Sequence, residues 1–310
     1  MWTLLAFISA VCLGGYDISK KIALRQNAVV DVLTISICIS AVLLSVPLFL
    51  SRFYPELTGG THFYVPSLDL EGHLFTLLKS VIVLSSWIFA YISLKHLPLS
   101  VVSPMQATRP MWTLLGALVL FDERLNGWQW IGVLLALGSI FLFSFRNRNA
   151  IHWKAGDEGD NRYYICLALA ILIGACSGLY DKYMMRRYDH NAVQVYYTLY
   201  QAVMMLVVWT IERVIKGAKS IDRTVHWTLD IRGFLPIIMI SIFLIISDNV
   251  YMLALRDPES MIAVVSTIRR GGAVIGFGYG LVFLKEGDVW QKIACMGGIC
   301  AGLVCLAIGP

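Results

Sequence analysis

A chain of 310 residues that is 58% hydrophobic and 15% charged departs from soluble domains, which are about 45–50% apolar and about 25% charged; its composition is that of a membrane protein. The net charge of +5 is modest, and Lys and Arg fall mostly in short polar gaps between apolar runs, which points to membrane anchoring and away from a nucleic-acid interface. The seven cysteines lie inside apolar runs with no CxxC or Cys/His cluster, so they read as small helix residues and not as a disulfide framework or a metal site.

A helix needs about 20 residues to cross the bilayer core. Apolar runs of that size are expected to span at 2–25, 28–51, 74–95, 98–121, 128–146, 163–186, 192–214, 233–255, 259–284 and 288–308. The chain opens on Met-Trp-Thr-Leu-Leu with no basic stretch before the first run, so that run reads as a retained helix and not as a cleaved signal peptide. Trp128, Trp130 and Trp290 open the fifth and tenth runs, and Tyr163 and Tyr164 the sixth, as interfacial aromatics do. The connections are short except at 52–73, 147–162 and 215–232. The middle one is the most hydrophilic segment and is expected to link two halves, 1–146 and 163–310.

The halves match each other. Gly14, Tyr16, Asp17, Asn27, Ala28 and Val29 recur at the same spacing as Gly178, Tyr180, Asp181, Asn191, Ala192 and Val193, and Tyr91 and Pro98 recur as Tyr251 and Pro258. A longer pair follows, Val101–Glu123 and Val264–Glu286, with one interval from Ser103 to Glu123 and from Ser266 to Glu286. Five spans per half is an odd number, so the second half would be inverted in the membrane, a construction habit of secondary transporters. The long pair carries Arg109 near the middle of one copy and Arg269 and Arg270 near the middle of the other. An arginine at bilayer depth costs about 2.5–3.5 kcal/mol even on the lenient insertion scale, so these segments are expected to line a polar cavity.

The run from Pro110 through Glu123, Arg124 and Leu125, with Gly132 in the next span, and the pattern Gly15-Tyr16-Asp17-Ile18-Ser19-Lys20 in the first, resemble the EamA-type drug/metabolite transporters. The resemblance covers nearly the whole chain. It implies an all-α integral membrane fold of ten transmembrane helices in two inverted five-helix repeats, with one chain sufficing. The second half departs from the pattern, with Ala273 where Pro110 would stand and Lys285-Glu286-Gly287 at its exit, so the ninth span is expected to be straighter than the fourth. The odd-numbered connections hold most of the Lys and Arg, which places both termini outside by the positive-inside rule; the resemblance implies cytoplasmic termini. The expected location is the cell (inner) membrane.

Intramembrane charge singles out Asp17, Lys20, Lys21, Arg109, Asp181, Lys182, Asp248, Arg269 and Arg270. Near an interface such residues snorkel to water, the expectation above all for Lys21 and Lys182. Deeper, Arg109 and one of Arg269 and Arg270 are expected to clamp an anionic group of a substrate, since a guanidinium stays charged and its fork fits a carboxylate or phosphate. Asp248 would neutralise an arginine in the empty site, or form a structural ion pair with Arg270. Tyr16, Trp87, Tyr91, Trp112, Tyr180, Tyr197, Tyr200 and Tyr251 offer rings with polar tips, with Gln106, Thr108, Ser103 and Ser266 beside them, although helix packing explains most such aromatics. Gly272, Gly276 and Gly280, Gly298 and Gly302, and Gly132 and Ala136 recur every four residues and predict close helix seams where the halves slide or rock. Pro98, Pro104 and Pro110 are expected to interrupt the fourth span and let it act as a gate.

The reading these features favour is a secondary transporter of small organic metabolites by alternating access, for an anionic or zwitterionic substrate. It would be driven by the substrate gradient or by protons titrating Asp17, Asp181 or Asp248. The partners expected are a small-molecule substrate and the lipid bilayer; no cofactor is. A receptor or sensor without transport is the alternative. An intramembrane enzyme is disfavoured because the histidines are scattered through polar segments without an HExxH-like set, and a self-contained ATP-driven pump because no Walker motif is present.

Overall fold

The computed structural model describes residues 1–24, 27, 29–61, 63–96, 108–146, 161–217, 231–272, 274–275 and 289–308. These residues are almost all helical and include no strand. The helices are α1 (Trp2–Leu24), α2 (Val29–Phe53), the short α3 (Pro55–Thr58), α4 (Leu70–His96), α5 (Arg109–Leu120), α6 (Gly127–Arg146), α7 (Asn161–Met185), α8 (His190–Gly217), α9 (Ile231–Arg256), α10 (Ile262–Arg270) and α11 (Val289–Ile308). Helix is what long apolar runs must form in a bilayer, because it satisfies every backbone N–H and C=O within the segment. Six helices are long and apolar enough to cross a membrane: α1, α2, α4, α7, α8 and α9. They coincide with the first, second, third, sixth, seventh and eighth expected spans. The protein is therefore a multi-pass integral membrane protein.

Its side chains are sorted accordingly. Val42, Val46, Phe49 and Phe53 on α2, and Leu74, Leu77, Leu78 and Val81 on α4, are exposed at helical spacing, so apolar stripes face outward where lipid would lie. Ser36, Ser40, Thr76, Ser80 and Ser86 are buried. Several of these hydroxyls donate to a carbonyl one turn back, as Ser40 does to Ser36 (2.9 Å) and Thr76 to Gly72 (2.7 Å), which keeps a polar side chain satisfied inside an apolar helix.

Two compact units each draw on both halves of the sequence: Cys12–Ser80 with Tyr188–Asn249, and Met1–Val11 with Val81–Arg187 and Val250–Pro310. In the first, α2 packs on α8. Ala23, Val32, Ile237 and Ile240 form a buried cluster against which Tyr16, Ile35 and Ile39 pack. Val65, from the segment after α3, lies on Ala192 and Val195 and donates its N–H to Ser51 Oγ at 3.0 Å. Polar ties complete this unit. Asn249 Nδ2 donates to Asn191 Oδ1 (2.9 Å) and Gln194 Oε1 (2.8 Å), and Asp31 accepts from Trp209 Nε1 (2.7 Å) and Arg213 (3.2 Å).

In the second unit α6 packs on α11, α5 on α7, and α10 touches α5, α6, α7 and α11. The α6–α11 seam is built from the small residues whose spacing predicted it. A Cβ on Gly302 would lie 2.7 Å from both the Gly132 carbonyl oxygen and the Ala136 amide nitrogen, and one on Gly298 would overlap Ser139. The pairs α2 and α8, and α6 and α11, are counterparts in the two halves of the sequence, so two helices pack on their own repeat partners.

The expected helix breaks fall only partly on described residues. Pro110 stands in the first turn of α5, where the missing N–H costs no hydrogen bond; residues 97–107 before it lie outside the described residues. Pro98 and Pro104 are therefore not described. In the ninth span Ala273 and residues 276–288 lie outside the described residues. α10 ends at Arg270, i→i+3 bonds run on from Gly271 to Ile268, Gly272 to Arg269, Val274 to Gly271 and Ile275 to Gly272, and Val274 and Ile275 are again α-helical, so the described break is the turn at Gly271 and Gly272, the kind of place that often marks a hinge.

Candidate substrate site

The short helices α5 and α10 set the site. At one end they are tied by Glu123, just past the C-terminus of α5. Its Oε1 accepts the Ile262 N–H at 2.6 Å and its Oε2 the Ala263 N–H at 3.2 Å, which are orphan donors at the start of α10. A carboxylate suits that place because it meets both the N–H groups and the positive end of the helix dipole. The two helices therefore run antiparallel, and the first residue of α5, Arg109, lies at the level of the last residues of α10, Arg269 and Arg270. At 1.5 Å per residue these helices are about 18 and about 14 Å long, roughly half the ~30 Å bilayer core. That depth explains how these arginines are tolerated: they sit at helix ends and not in the middle of long membrane-crossing helices.

Arg109 is held by glycine. A methyl group at Gly174 of α7 would overlap its guanidinium, so only a residue without a side chain leaves that place open. Its Nη2 lies 3.5 Å from Ser86 Oγ, which itself donates to the Ala170 carbonyl at 2.8 Å. Arg270, Arg269, Asp181 and Tyr251 all lie within its electrostatic reach. The Arg269 guanidinium sits 4.2 Å from the Tyr251 ring centroid, a cation–π distance. Tyr251 and Asp181 are buried, Arg269 half-buried and Arg270 exposed. Three guanidiniums, one carboxylate and the positive N-terminus of α5 make this cluster suited to an anion.

The structure thus brings together Arg109, Asp181, Tyr251, Arg269 and Arg270 among the residues singled out by sequence. Tyr180, half-buried on α7, stacks on Tyr183 with centroids 5.9 Å apart. Trp87 is half-buried on α4, and Trp112, one turn beyond Arg109, is 46% exposed. Asp17, Tyr16 and Asp248 belong to the other compact unit. There Tyr16 packs on the apolar cluster and Lys20 lies 5.7 Å from its ring, while Asp17 is exposed although its counterpart Asp181 is buried. The Tyr91 and Lys21 side chains, Gln106, Ser103, Gly276, Gly280 and Glu286 lie outside the described residues.

Lys182 is not the snorkelling residue expected of a lysine at the end of a span. It is fully buried and donates to the Ser260 carbonyl at 2.5 Å, to Ser260 Oγ and to the Asp257 carbonyl at 3.4 Å. The turn after α9 supplies carbonyl oxygens there, and they replace the water that snorkelling would have sought. Lys79 was passed over because it falls early in its span. It is 2% exposed and lies 4.7 Å from the Tyr197 ring in its own unit; a lone lysine within an apolar run was the available signal.

Burial pushes the Glu123 carboxyl above its ordinary value of 4.5, against the pull of the two N–H donors and of Lys182 and Arg186. The folded protein then holds this proton more tightly than the unfolded chain. Stability carried by this group therefore falls as pH rises from about 4.5 through the raised pKa. Glu123→Gln removes the titration, so the melting temperature of the wild type should gain on that of E123Q between pH 7 and pH 5. A constant difference across that range would assign the pH response to other groups.

Residues 1–145 match the family model of the EamA-like transporter family. No curated protein matches the chain in sequence. A crystal structure of another protein aligns over 99% of this chain and 96% of its own, with a TM-score of 0.74 at 13% identity, a likeness of fold alone.

Proposed function

We propose, from the match of residues 1–145 to the model of the EamA-like transporter family, that the protein is a secondary carrier of small organic anions or zwitterions working by alternating access. In this reading ten spans form two inverted five-helix repeats, 1–146 and 163–310, joined by the polar linker 147–162. The packing of two helices, α2 on α8 and α6 on α11, on their sequence counterparts supports that arrangement. One chain suffices, no cofactor takes part, and the cell membrane is its location. The substrate's own gradient or protons drive it, with Asp17, Asp181 or Asp248 as the titrating groups.

The observation that carries the reading is the meeting of Arg109 with Arg269 and Arg270 at the ends of two half-length helices. Helix ends at the midplane are where carriers build substrate sites, and guanidiniums bind carboxylate or phosphate without needing to change protonation. Asp181 keeps the empty cluster from being wholly positive, and Tyr251 and Trp112 offer faces to an apolar body. Trp87, Tyr91, Tyr180 and Gln106 complete the proposed lining.

A thermal-shift screen of the purified protein against anionic metabolites is the first test, because a ligand at 100 times its dissociation constant adds about 2.7 kcal/mol of stability. The hit is then carried into proteoliposomes. Wild type should accumulate it, and Arg109→Gln should fall to the flux of empty vesicles while inserting normally. Full flux in R109Q sinks the clamp; binding without flux in the wild type would make the protein a sensor.

A further inference from the structure

Resting on the carrier reading, we infer that the capping of α10 by Glu123, beside the hold of Lys182 on the turn between α9 and α10, is the closing contact of one gate, a latch that parts when the arginine site opens toward that side of the membrane.

The latch stands at the opposite ends of α5 and α10 from the arginines. Those helices are about 18 and about 14 Å long, so a solute entering from this side must pass the tied ends to reach the site. Three contacts close that end. Glu123 bridges the Ile262 and Ala263 amides. Lys182, at the end of α7, binds Ser260 and the Asp257 carbonyl. Arg186 lies 5.0 Å from the Phe121 ring. The backbone is shaped for the purpose. Asp122 has φ of +48°, a left-handed conformation that among ordinary residues Asn and Asp adopt most readily, and it stands where the chain leaves α5, one residue before Glu123 reaches α10.

The character of the tie matters as much as its place. Glu123 lies 139 residues from Ile262 in the chain, so the contact joins the two halves of the sequence. It is made mostly of charged hydrogen bonds, and each of its groups has a ready replacement in water once the ends separate. An apolar seam such as α6–α11 has no such replacement. Because α10 carries Ile262 and Ala263 at one end and Arg269 and Arg270 at the other, any tilt that moves the arginines relative to α5 strains the cap.

The test places a cysteine at Thr113, which is 4% exposed on α5 and lies between Arg109 and Glu123. A membrane-impermeant maleimide is applied to right-side-out and to inside-out vesicles, with the native cysteines of the parent protein as background. Position 113 should be unreactive from the latch side in the wild type. With Glu123→Ala or Lys182→Met it should label about tenfold faster from that side alone, the population shift expected from losing one helix cap. Glu123→Gln keeps one acceptor and should give a smaller increase in the same direction, which decides the matter if E123A fails to fold. Folded E123Q and K182M proteins whose labelling matches the wild type from both sides would overturn the latch and leave a static cap. Labelling needs no substrate, so a missing flux would count against the carrier reading and not against the latch.

Discussion

Gly174→Ala is expected to abolish ligand binding and flux as thoroughly as Arg109→Gln does, in a protein that still folds. The added methyl would occupy the place of the Arg109 guanidinium. That group is the far end of a flexible side chain, so it can swing aside without disturbing the backbone of α5 or α7. Overpacking of this kind costs about 1–3 kcal/mol when the surroundings are rigid and should cost less here. The functional loss is larger than the structural one. A charge-assisted hydrogen bond contributes about 1.5–3 kcal/mol, and at 1.4 kcal/mol per decade its loss weakens binding about 10- to 100-fold. The measurement is the ligand-induced melting shift of G174A beside that of R109Q, with the unliganded melting temperatures as control. Near-equal unliganded values with the ligand shift gone from both would place the anion at this guanidinium. A full ligand shift in G174A would mean that the position Arg109 takes against Gly174 is not the one the substrate uses.

The glycine in that argument was not legible as a site residue, while the arginine was. Arg109 stood out because a guanidinium in an apolar run has few benign explanations, and the matched copies of the sequence pointed to Arg269 and Arg270 as its fellows. The apolar runs gave six of the spans to within a few residues, since length and hydropathy alone decide them. The α6–α11 seam was legible from the four-residue spacing of Gly298, Gly302, Gly132 and Ala136. What stayed hidden depends on partners distant in the chain. Glu123 was visible as the close of a repeated motif, but its partners are backbone amides 139 and 140 residues away, and any residue type can supply an amide. Lys182 misled for the same reason: three acceptors on a turn leave no mark in the sequence. Asp17 and Asp181 occupy equivalent sequence positions, yet one is exposed and the other buried, because sequence equivalence fixes the local helix and not what packs against it. The compact units, each assembled from both halves, have no signature in a linear reading.

Gly302→Leu should prevent assembly of the folded protein, and Gly302→Ala should already lower its melting temperature by several degrees. The reason lies in which atoms would collide. At Gly174 the neighbour is a movable side chain, but at Gly302 it is the backbone of α6, with the Gly132 oxygen and the Ala136 nitrogen at 2.7 Å and the Ala136 methyl at 2.9 Å from the added Cβ. Relief requires pushing two helices apart, and helix association in membranes depends on such close packing, since lipid tails are as apolar as the helix faces. Gly297, the same residue type on the same helix, has nothing within 4 Å of its Cβ position. Gly297→Ala should therefore be neutral or stabilising by up to about 1 kcal/mol, the helix-propensity gain alone. Monodispersity and melting temperature of the three variants in one detergent separate the two effects. Equal behaviour of G297A and G302A would mean that the seam has room to relax, and α6 and α11 would then be free to slide on each other. A sharp difference would make them one rigid body, and the motion that carries the arginine site between its two faces would have to come from the shorter helices α5 and α10.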